Sequence, residues 1–100
     1  MLAYKLLRKR RDNSLGPLFI NRSQRITPGV WMQAHLYPTR GYQVRQGWHC
    51  TLEPVAPHLT TRGRVWCQVS VKDIQYYSRP ESQGGTWVLA QRMKLIKELT

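Results

Sequence analysis

An alternation between residues 64 and 71 constrains the fold of this chain more than any other feature of the sequence. Val65, Cys67, Val69 and Val71 fall on one side of an extended chain, and the residues between them fall on the other. Successive side chains of a β-strand point to opposite faces of a sheet, so a period of two predicts a strand with one buried face. We expect this strand to be central in a sheet.

A second pattern, at the start of the chain, predicts a β-hairpin. Apolar residues from Leu2 to Leu7 and from Leu15 to Ile20 flank a charged, turn-rich stretch. Proline cannot donate a hydrogen bond to a neighbouring strand. Pro17 therefore predicts that the second strand either lies at an edge of the sheet or begins at about Leu18.

The other segments leave little room for helix. Tyr42–Gln46 and Trp48–Leu52 predict short strands, two prolines limit Glu53–Leu59 to one helical turn, and Asp73–Tyr77 fits a helical turn or a strand end. The tail from 91 to 100 fits a strand or a helix, and we favour a strand with a frayed end. The sequence thus predicts one domain over residues 1–100, of α+β or mainly β class, with a mostly antiparallel sheet and little helix.

The charge of the chain indicates the kind of partner. Sixteen Lys and Arg residues against five Asp and Glu residues give a net charge of +11, and arginine is the commoner of the two cations. Such a field attracts polyanions, and the planar guanidinium group suits phosphate and carboxylate. We expect nucleic acid, or an acidic or nucleoprotein target, as the partner.

The basic residues form three clusters, and two further arginines flank an aromatic residue. The candidate contacts to the partner are Arg8, Lys9, Arg10, Arg11, Arg22, Arg25, Arg40, Arg45, Arg62, Arg64 and Tyr42. Aromatic side chains near basic ones suit stacked bases beside phosphates, and Trp31, Tyr37 and Tyr42 are the candidates for exposed stacking. The sequence has no ribonucleoprotein, zinc-finger or helix-turn-helix pattern.

Four residues supply atoms that could bind zinc, namely His49, Cys50, His58 and Cys67. Their spacing lacks the tight pair of ligands typical of zinc sites, and His49 and Cys50 would point to opposite faces of a strand. A Cys50–His58 nucleophilic pair matches no nucleophile motif. We therefore predict no metal, no cofactor and no catalytic residue, with free cysteines that are at least partly buried.

The location of the protein is predicted from its apolar stretches. None approaches the ~20 residues needed to cross a bilayer. Near the N-terminus, apolar residues precede the basic run Arg8–Arg11, the reverse of the order in a secretory signal. We expect a cytoplasmic protein that does not enter a membrane.

Four segments, Gly47–Cys50, Ala56–Leu59, Gly63–Trp66 and Gly84–Trp87, carry a resemblance to other proteins. Together with residues near both ends, they make nearly the whole chain resemble a family of small bacteriophage-encoded accessory proteins. The resemblance implies action in the cytoplasm of a bacterial host. It also implies a binding protein that inhibits an antiviral defence, such as a CRISPR effector, by engaging nucleic acid or a nucleoprotein.

A fainter resemblance concerns the Tyr4–Lys5 pair, Gly47–Cys50 and the valine-rich strand. This layout is similar to minimal ADP-ribosyltransferase-like domains, which place a glutamate on a late strand. Glu81, in a predicted loop, and Glu98, at the expected frayed end, match that position poorly. A virion or scaffold component is a further alternative, for which the sequence offers neither heptads nor a long apolar edge. We favour a binding module over an enzyme.

Overall fold

The computed structural model describes residues 1–18, 23–34 and 47–99, which contain six β-strands. These are β1 (Leu2–Lys9), β2 (Leu15–Gly16), β3 (Trp31–Gln33), β4 (Trp48–Thr51), β5 (Arg64–Ser78) and β6 (Thr86–Glu98). The helical element of the described residues is one 3-10 turn, Glu81–Gln83. All pairings between the strands are antiparallel, which confirms the mainly β fold with an antiparallel sheet.

The longest pairing joins β5 and β6 into a hairpin. It runs from Ser78 opposite Thr86 to Cys67 opposite Glu98. The connection closes with Gly84 and Gly85 at φ of 96° and 73°, a region that glycine adopts without a steric penalty. Since Gln68 lies opposite Lys97 and Val69 opposite Leu95, Ile96 is an extra residue that forms a β-bulge and bends β6.

The strand pairings close into a circuit. β5 pairs with β6 on one side and with β1 on the other. β4 pairs with β6 along four residues and meets β1 where Tyr4 lies opposite Thr51. β2 and β3 extend the sheet beside β1 and beside the second half of β6. The sheet therefore curves around its apolar side chains instead of lying flat.

The core lies inside this circuit. Its largest fully buried side chains include Leu7, Val69, Val71, Met93 and Leu95. The alternation that begins at Val65 is confirmed, because Cys67, Val69 and Val71 are buried and Val65 packs against the core. The circuit thus has an inner face formed by these residues and an outer face formed by those between them.

The structure decides two expectations about strand ends. Asp73–Tyr77 forms the last part of β5, which ends at Ser78, so the strand-end alternative is confirmed and the helical turn is wrong. Asp73 has φ of 55°. Before Asp73 the odd-numbered residues of β5 face the core, and after it the even-numbered Ile74 packs against the core. The strand predicted for the tail is confirmed, but β6 stays paired as far as Glu98 and its end is not frayed.

The first hairpin is confirmed in a shortened form. Arg8 lies opposite Gly16 and Lys9 opposite Leu15, and β2 ends directly before Pro17 at the edge of the sheet. The edge alternative is therefore correct and the start at about Leu18 is wrong. Residues 19 and 20 and the strand predicted for Tyr42–Gln46 lie outside the described residues.

The described parts of the chain hold no helix with the length and apolarity required to cross a membrane.

Candidate functional site

The register of four strands defines one continuous outer face. Residues directly opposite each other in antiparallel strands project to the same side of a sheet. Arg8 lies opposite Arg64 at one end of β1, and Leu2 lies opposite Ser70 at the other. Across β6 and β3 the second row continues from Ser70 through Lys94 to Trp31. The outer face comprises Leu2, Tyr4, Leu6, Arg8, Arg64, Trp66, Gln68, Ser70, Lys72, Arg92, Lys94, Lys97, Trp31 and Gln33.

A groove of about 310 Å³, which we call the arginine groove, opens at one end of this face. It is lined by Arg8, Lys9, Leu18, Arg62, Gly63 and Arg64. The Lys9 backbone N–H donates a hydrogen bond to the Gly63 carbonyl over 3.0 Å and fixes the loop before β5 against β1. The fold thereby joins the first and the last of the three basic clusters that the sequence shows.

The arginine groove concentrates like charge. Arg8 and Arg64 are direct cross-strand partners, an arrangement in which like charges repel and destabilise the sheet. Arg64 donates a hydrogen bond over 3.1 Å to the carbonyl oxygen of Thr60, and this acceptor carries no charge. The three ion pairs between described residues involve Lys9, Arg25 and Arg92, so within those residues no carboxylate neutralises Arg8 or Arg62. A bound anion would supply the missing negative charge.

Two other predicted contacts hold the first hairpin together. Arg10 donates to the Gln24 carbonyl over 2.8 Å and to Ser14 Oγ over 3.4 Å. Arg25 donates to the Asp12 carboxylate over 2.9 Å. Hydrogen bonds from Ser14, and then from Arg25, hold the pKa of the Asp12 carboxyl well below its usual range. These guanidinium groups have partners within the protein.

The remaining predicted contacts lie in three places: the arginine groove, the turn after β1, and the parts of the chain that are not described. Lys9 lines the groove but forms an ion pair with Glu98. Arg11 is exposed in the turn after β1. The predicted contacts outside the described residues are Arg22, Arg40, Arg45 and Tyr42. The stacking candidate Tyr37 lies outside them as well.

The other end of the outer face carries an aromatic group close to two cations, which we call the Trp31 platform. Lys72 Nζ lies 4.1 Å and Lys94 Nζ 5.0 Å from the centre of the Trp31 ring, and 36% of Trp31 is exposed. Both distances fall within the range of cation–π attraction. Sequence reasoning chose Trp31 but missed both lysines. Lys72 follows Trp66, Gln68 and Ser70 at a spacing of two residues, so the alternation in the sequence could have placed Lys72 on the outer face.

The structure places the four candidate zinc ligands in different surroundings. Both cysteines are free and buried, as expected, and burial raises the pKa of Cys50 to about 11 and that of Cys67 to about 12. Lys5 Nζ donates a hydrogen bond to the His49 carbonyl oxygen over 2.7 Å, and burial lowers the pKa of Lys5. His58 packs against Trp87 with ring centres 5.8 Å apart. Within the described ranges, no three His, Cys, Asp or Glu side chains are grouped to hold a metal ion.

The two candidate glutamates of a transferase lie far apart in the fold. Glu81 is exposed in the 3-10 turn at the tip of the β5–β6 hairpin. Glu98 lies in the last position of β6, opposite Cys67 at the other end of the hairpin, and its carboxylate pairs with Lys9. Glu98 is therefore on a late strand, contrary to the expectation of a frayed end, and its carboxylate contributes to the ion pair that ties β6 to β1.

Comparisons of the chain with protein-family models, with curated proteins and with solved structures found no match. Two features of the outer face have the chemistry of a binding site, namely the arginine groove at one end and the Trp31 platform at the other.

Proposed function

We propose that the protein binds nucleic acid and that the arginine groove receives backbone phosphates. The observation that carries the proposal is the cross-strand pair of Arg8 and Arg64 in a groove that Arg62 also lines, with no carboxylate paired to Arg8 or Arg62 among the described residues. Repulsion between these groups costs folding free energy that an anion would recover. Phosphate, like carboxylate, has the geometry that the guanidinium fork binds through two parallel hydrogen bonds.

A polyanion suits the groove better than a single small anion. The groove forms one end of an outer face whose described carboxylate neighbour, Asp73, is already paired with Arg92. A strand of nucleic acid can place successive phosphates along such a face and release condensed counterions as it binds. The net charge of +11 adds long-range attraction to the same ligand.

The test uses two variants with the same change in net charge. Arg8→Gln with Arg62→Gln alters the groove, and Arg11→Gln with Arg25→Gln is the control at the neighbouring turn. Binding of a fluorescent 20-nucleotide single strand is measured by anisotropy across a salt titration. The groove variant should lose affinity, and its slope of log K against log salt should fall by about 1.4, since each single-strand phosphate contact contributes roughly 0.7.

Two outcomes would overturn this assignment. If both variants lose the same affinity, the attraction depends on net charge and not on the groove. If neither variant changes the binding, or the unmodified protein does not bind the strand, the arginine groove does not receive nucleic acid. Circular dichroism and thermal unfolding of each variant establish that the fold is retained.

For the cellular role, we propose the one that the sequence analysis expects of a small bacteriophage accessory protein. In this proposal the protein acts in a bacterial host and inhibits a defence nucleoprotein, such as a CRISPR effector, by occupying its nucleic acid or the channel that holds it. A tagged protein is recovered from bacterial lysate with and without nuclease, and bound proteins and nucleic acid are identified. Loss of the bound proteins after nuclease supports recognition through nucleic acid, whereas a single protein that survives nuclease indicates a direct protein target.

A further inference from the structure

We infer that the Trp31 platform stacks an unpaired base, so that the ligand of the outer face is a single strand running from the arginine groove to Trp31. This inference rests on the proposed nucleic-acid binding and specifies its form. It starts from the row formed by Ser70, Lys94 and Trp31, which lies on the same side of the sheet as Arg8 and Arg64. Phosphate contacts and a stacking surface therefore share one face.

The chemistry at Trp31 fits a base flanked by phosphates. The indole ring is partly exposed on β3, and the ammonium groups of Lys72 and Lys94 lie 4.1 and 5.0 Å from its centre. A base that stacks on the ring takes the place of one ammonium group. The displaced lysine then lies beside the phosphates that flank that base. Stacking of this kind accepts any base, because every base has a π face.

The path between the two ends is free of described acidic side chains. The face between them carries the polar residues Gln68 and Ser70 and the partly exposed aromatic residues Tyr4 and Trp66. Lys97, opposite Gln68, adds an exposed cation midway. Asp73, beyond the Trp31 row, is paired with Arg92. The strand therefore meets cations and π surfaces along its length and no unpaired carboxylate on the described outer face.

The sheet also sets the length of the ligand. Arg8 and Leu2 are six residues apart on β1, and a rise of about 3.3 Å per residue separates their rows by at most ~20 Å. Trp31 lies three strands across the sheet from β1, at about 4.8 Å per strand, so the straight path from Arg8 to Trp31 is about 25 Å. Stacked nucleotides carry one phosphate per 3.4 Å of strand, so about seven nucleotides span this path, and fewer do so when extended. A duplex keeps its base faces inside the stack and cannot use Trp31.

The experiment compares Trp31→Ala with a matched control, Tyr76→Ala, which removes another exposed aromatic side chain from β5 beyond the shift in phase at Asp73. The probes are an 8-nucleotide single strand, a 3-nucleotide strand, an 8-base-pair duplex and inorganic polyphosphate, which has no bases. Anisotropy measures the labelled oligonucleotides, and polyphosphate is measured by competition. Trp31→Phe tests whether a smaller ring restores binding.

We expect Trp31→Ala to weaken binding of the 8-nucleotide strand by about tenfold or more, the usual effect of losing one stacked base. Its affinity for the duplex and for polyphosphate should be unchanged, Trp31→Phe should recover much of the loss, and Tyr76→Ala should behave as the unmodified protein. The preference for 8 over 3 nucleotides should shrink in Trp31→Ala, because the strand no longer gains from reaching the platform.

The failures of the two proposals are distinguishable. If Trp31→Ala binds the 8-nucleotide strand normally while the Arg8 and Arg62 variant does not, the stacking inference is wrong and nucleic-acid binding in the groove stands. An equal loss in Trp31→Ala and Tyr76→Ala also overturns it, since stacking is then not specific to this platform. If the unmodified protein binds none of the probes, the proposed function itself fails.

Discussion

Arg8 and Arg10 are close neighbours in the chain, yet their guanidinium groups have opposite surroundings. Arg8 lies within β1, directly opposite Arg64, and no carboxylate among the described residues pairs with it. Arg10 lies just beyond the end of β1, and its guanidinium donates to Gln24 and Ser14 and lies against Gly16. One arginine is left with donors for a ligand, and the other uses its donors to hold the hairpin.

The difference shows that strand register decides which groups surround each arginine. Pairing of β1 with β5 brings a second positive charge to Arg8, whereas the turn after β1 brings carbonyl and hydroxyl oxygens to Arg10. Arg25 resembles Arg10 in having a partner within the protein, because it forms an ion pair with Asp12. The outer face should therefore govern binding, and the first turn should govern stability.

The largest effect that we expect comes from Arg8→Glu. The new carboxylate would lie opposite Arg64 and occupy it as an internal partner, while the net charge falls by two. Affinity for a single-stranded oligonucleotide should drop by about a hundredfold at low salt, the value of one or two charge-assisted hydrogen bonds. Fluorescence anisotropy of the labelled oligonucleotide across a salt titration measures this loss of affinity.

Arg25→Glu is the control for that prediction, because it makes the same change in charge at the first turn. It should lose much less affinity than Arg8→Glu under the same conditions. If the two variants bind equally, register does not separate the two groups of arginines and the comparison fails.

A second prediction concerns stability at the first turn. Arg10→Ala removes two donors to Gln24 and Ser14 and should lower the free energy of unfolding by about 2 kcal/mol, since hydrogen bonds to charged groups contribute roughly 1.5–3. A methyl group on Gly16 would collide with the Arg10 guanidinium. Gly16→Ala should therefore displace it and produce a similar loss.

Denaturant unfolding of both single variants and of the double variant tests this explanation. Because both changes remove the same contacts, the double variant should lose much less than the sum of the two. Additive losses would mean that Arg10 and Gly16 act independently. Nucleic-acid binding by Arg10→Ala should stay close to that of the unmodified protein.

Much of the fold could be predicted because its signals are local. The alternation from Val65 to Val71 identified the inward face of β5, and Pro17 correctly indicated an edge strand. The last part of β5 fitted a helical turn as well as a strand end, because Asp73, at φ of 55°, shifts the phase of the alternation. The bulge at Ile96 similarly interrupts a simple period of two in β6.

The candidate site was predictable in its parts but not in its arrangement. Arg8, Arg62 and Arg64 were chosen from their clusters, but only the pairing of β1 with β5 joins them in one groove. The same clusters included Arg10, whose internal partners no local pattern indicates. Lys72 and Lys94 are single lysines in the sequence, and pairing of β3 with β6 brings them to Trp31.

A third prediction follows from the repulsion between Arg8 and Arg64. Arg8→Gln removes one of two like charges that lie directly opposite, so the free energy of unfolding should rise by about 0.5 kcal/mol at low salt. The gain should shrink as salt screens the charges. Arg11→Gln, an exposed control in the turn, should change stability by less. A loss of stability in Arg8→Gln would show that its aliphatic stem matters more than its charge.

The smallest effect concerns the pH dependence of the first turn. Hydrogen bonds from Ser14, and then Arg25, hold the pKa of Asp12 below its usual range in the folded protein. The unfolded chain therefore binds a proton at Asp12 more readily, so this carboxylate stabilises the fold above about pH 4, where an unfolded carboxyl titrates, and the stabilisation is lost as the pH falls further. Asp12→Asn lacks this contribution at every pH. Its unfolding midpoint should lie below that of the unmodified protein at pH 6 and approach it toward pH 2. A constant difference between Asp12→Asn and the unmodified protein across this range would mean that the charge of Asp12 does not stabilise the turn after β1.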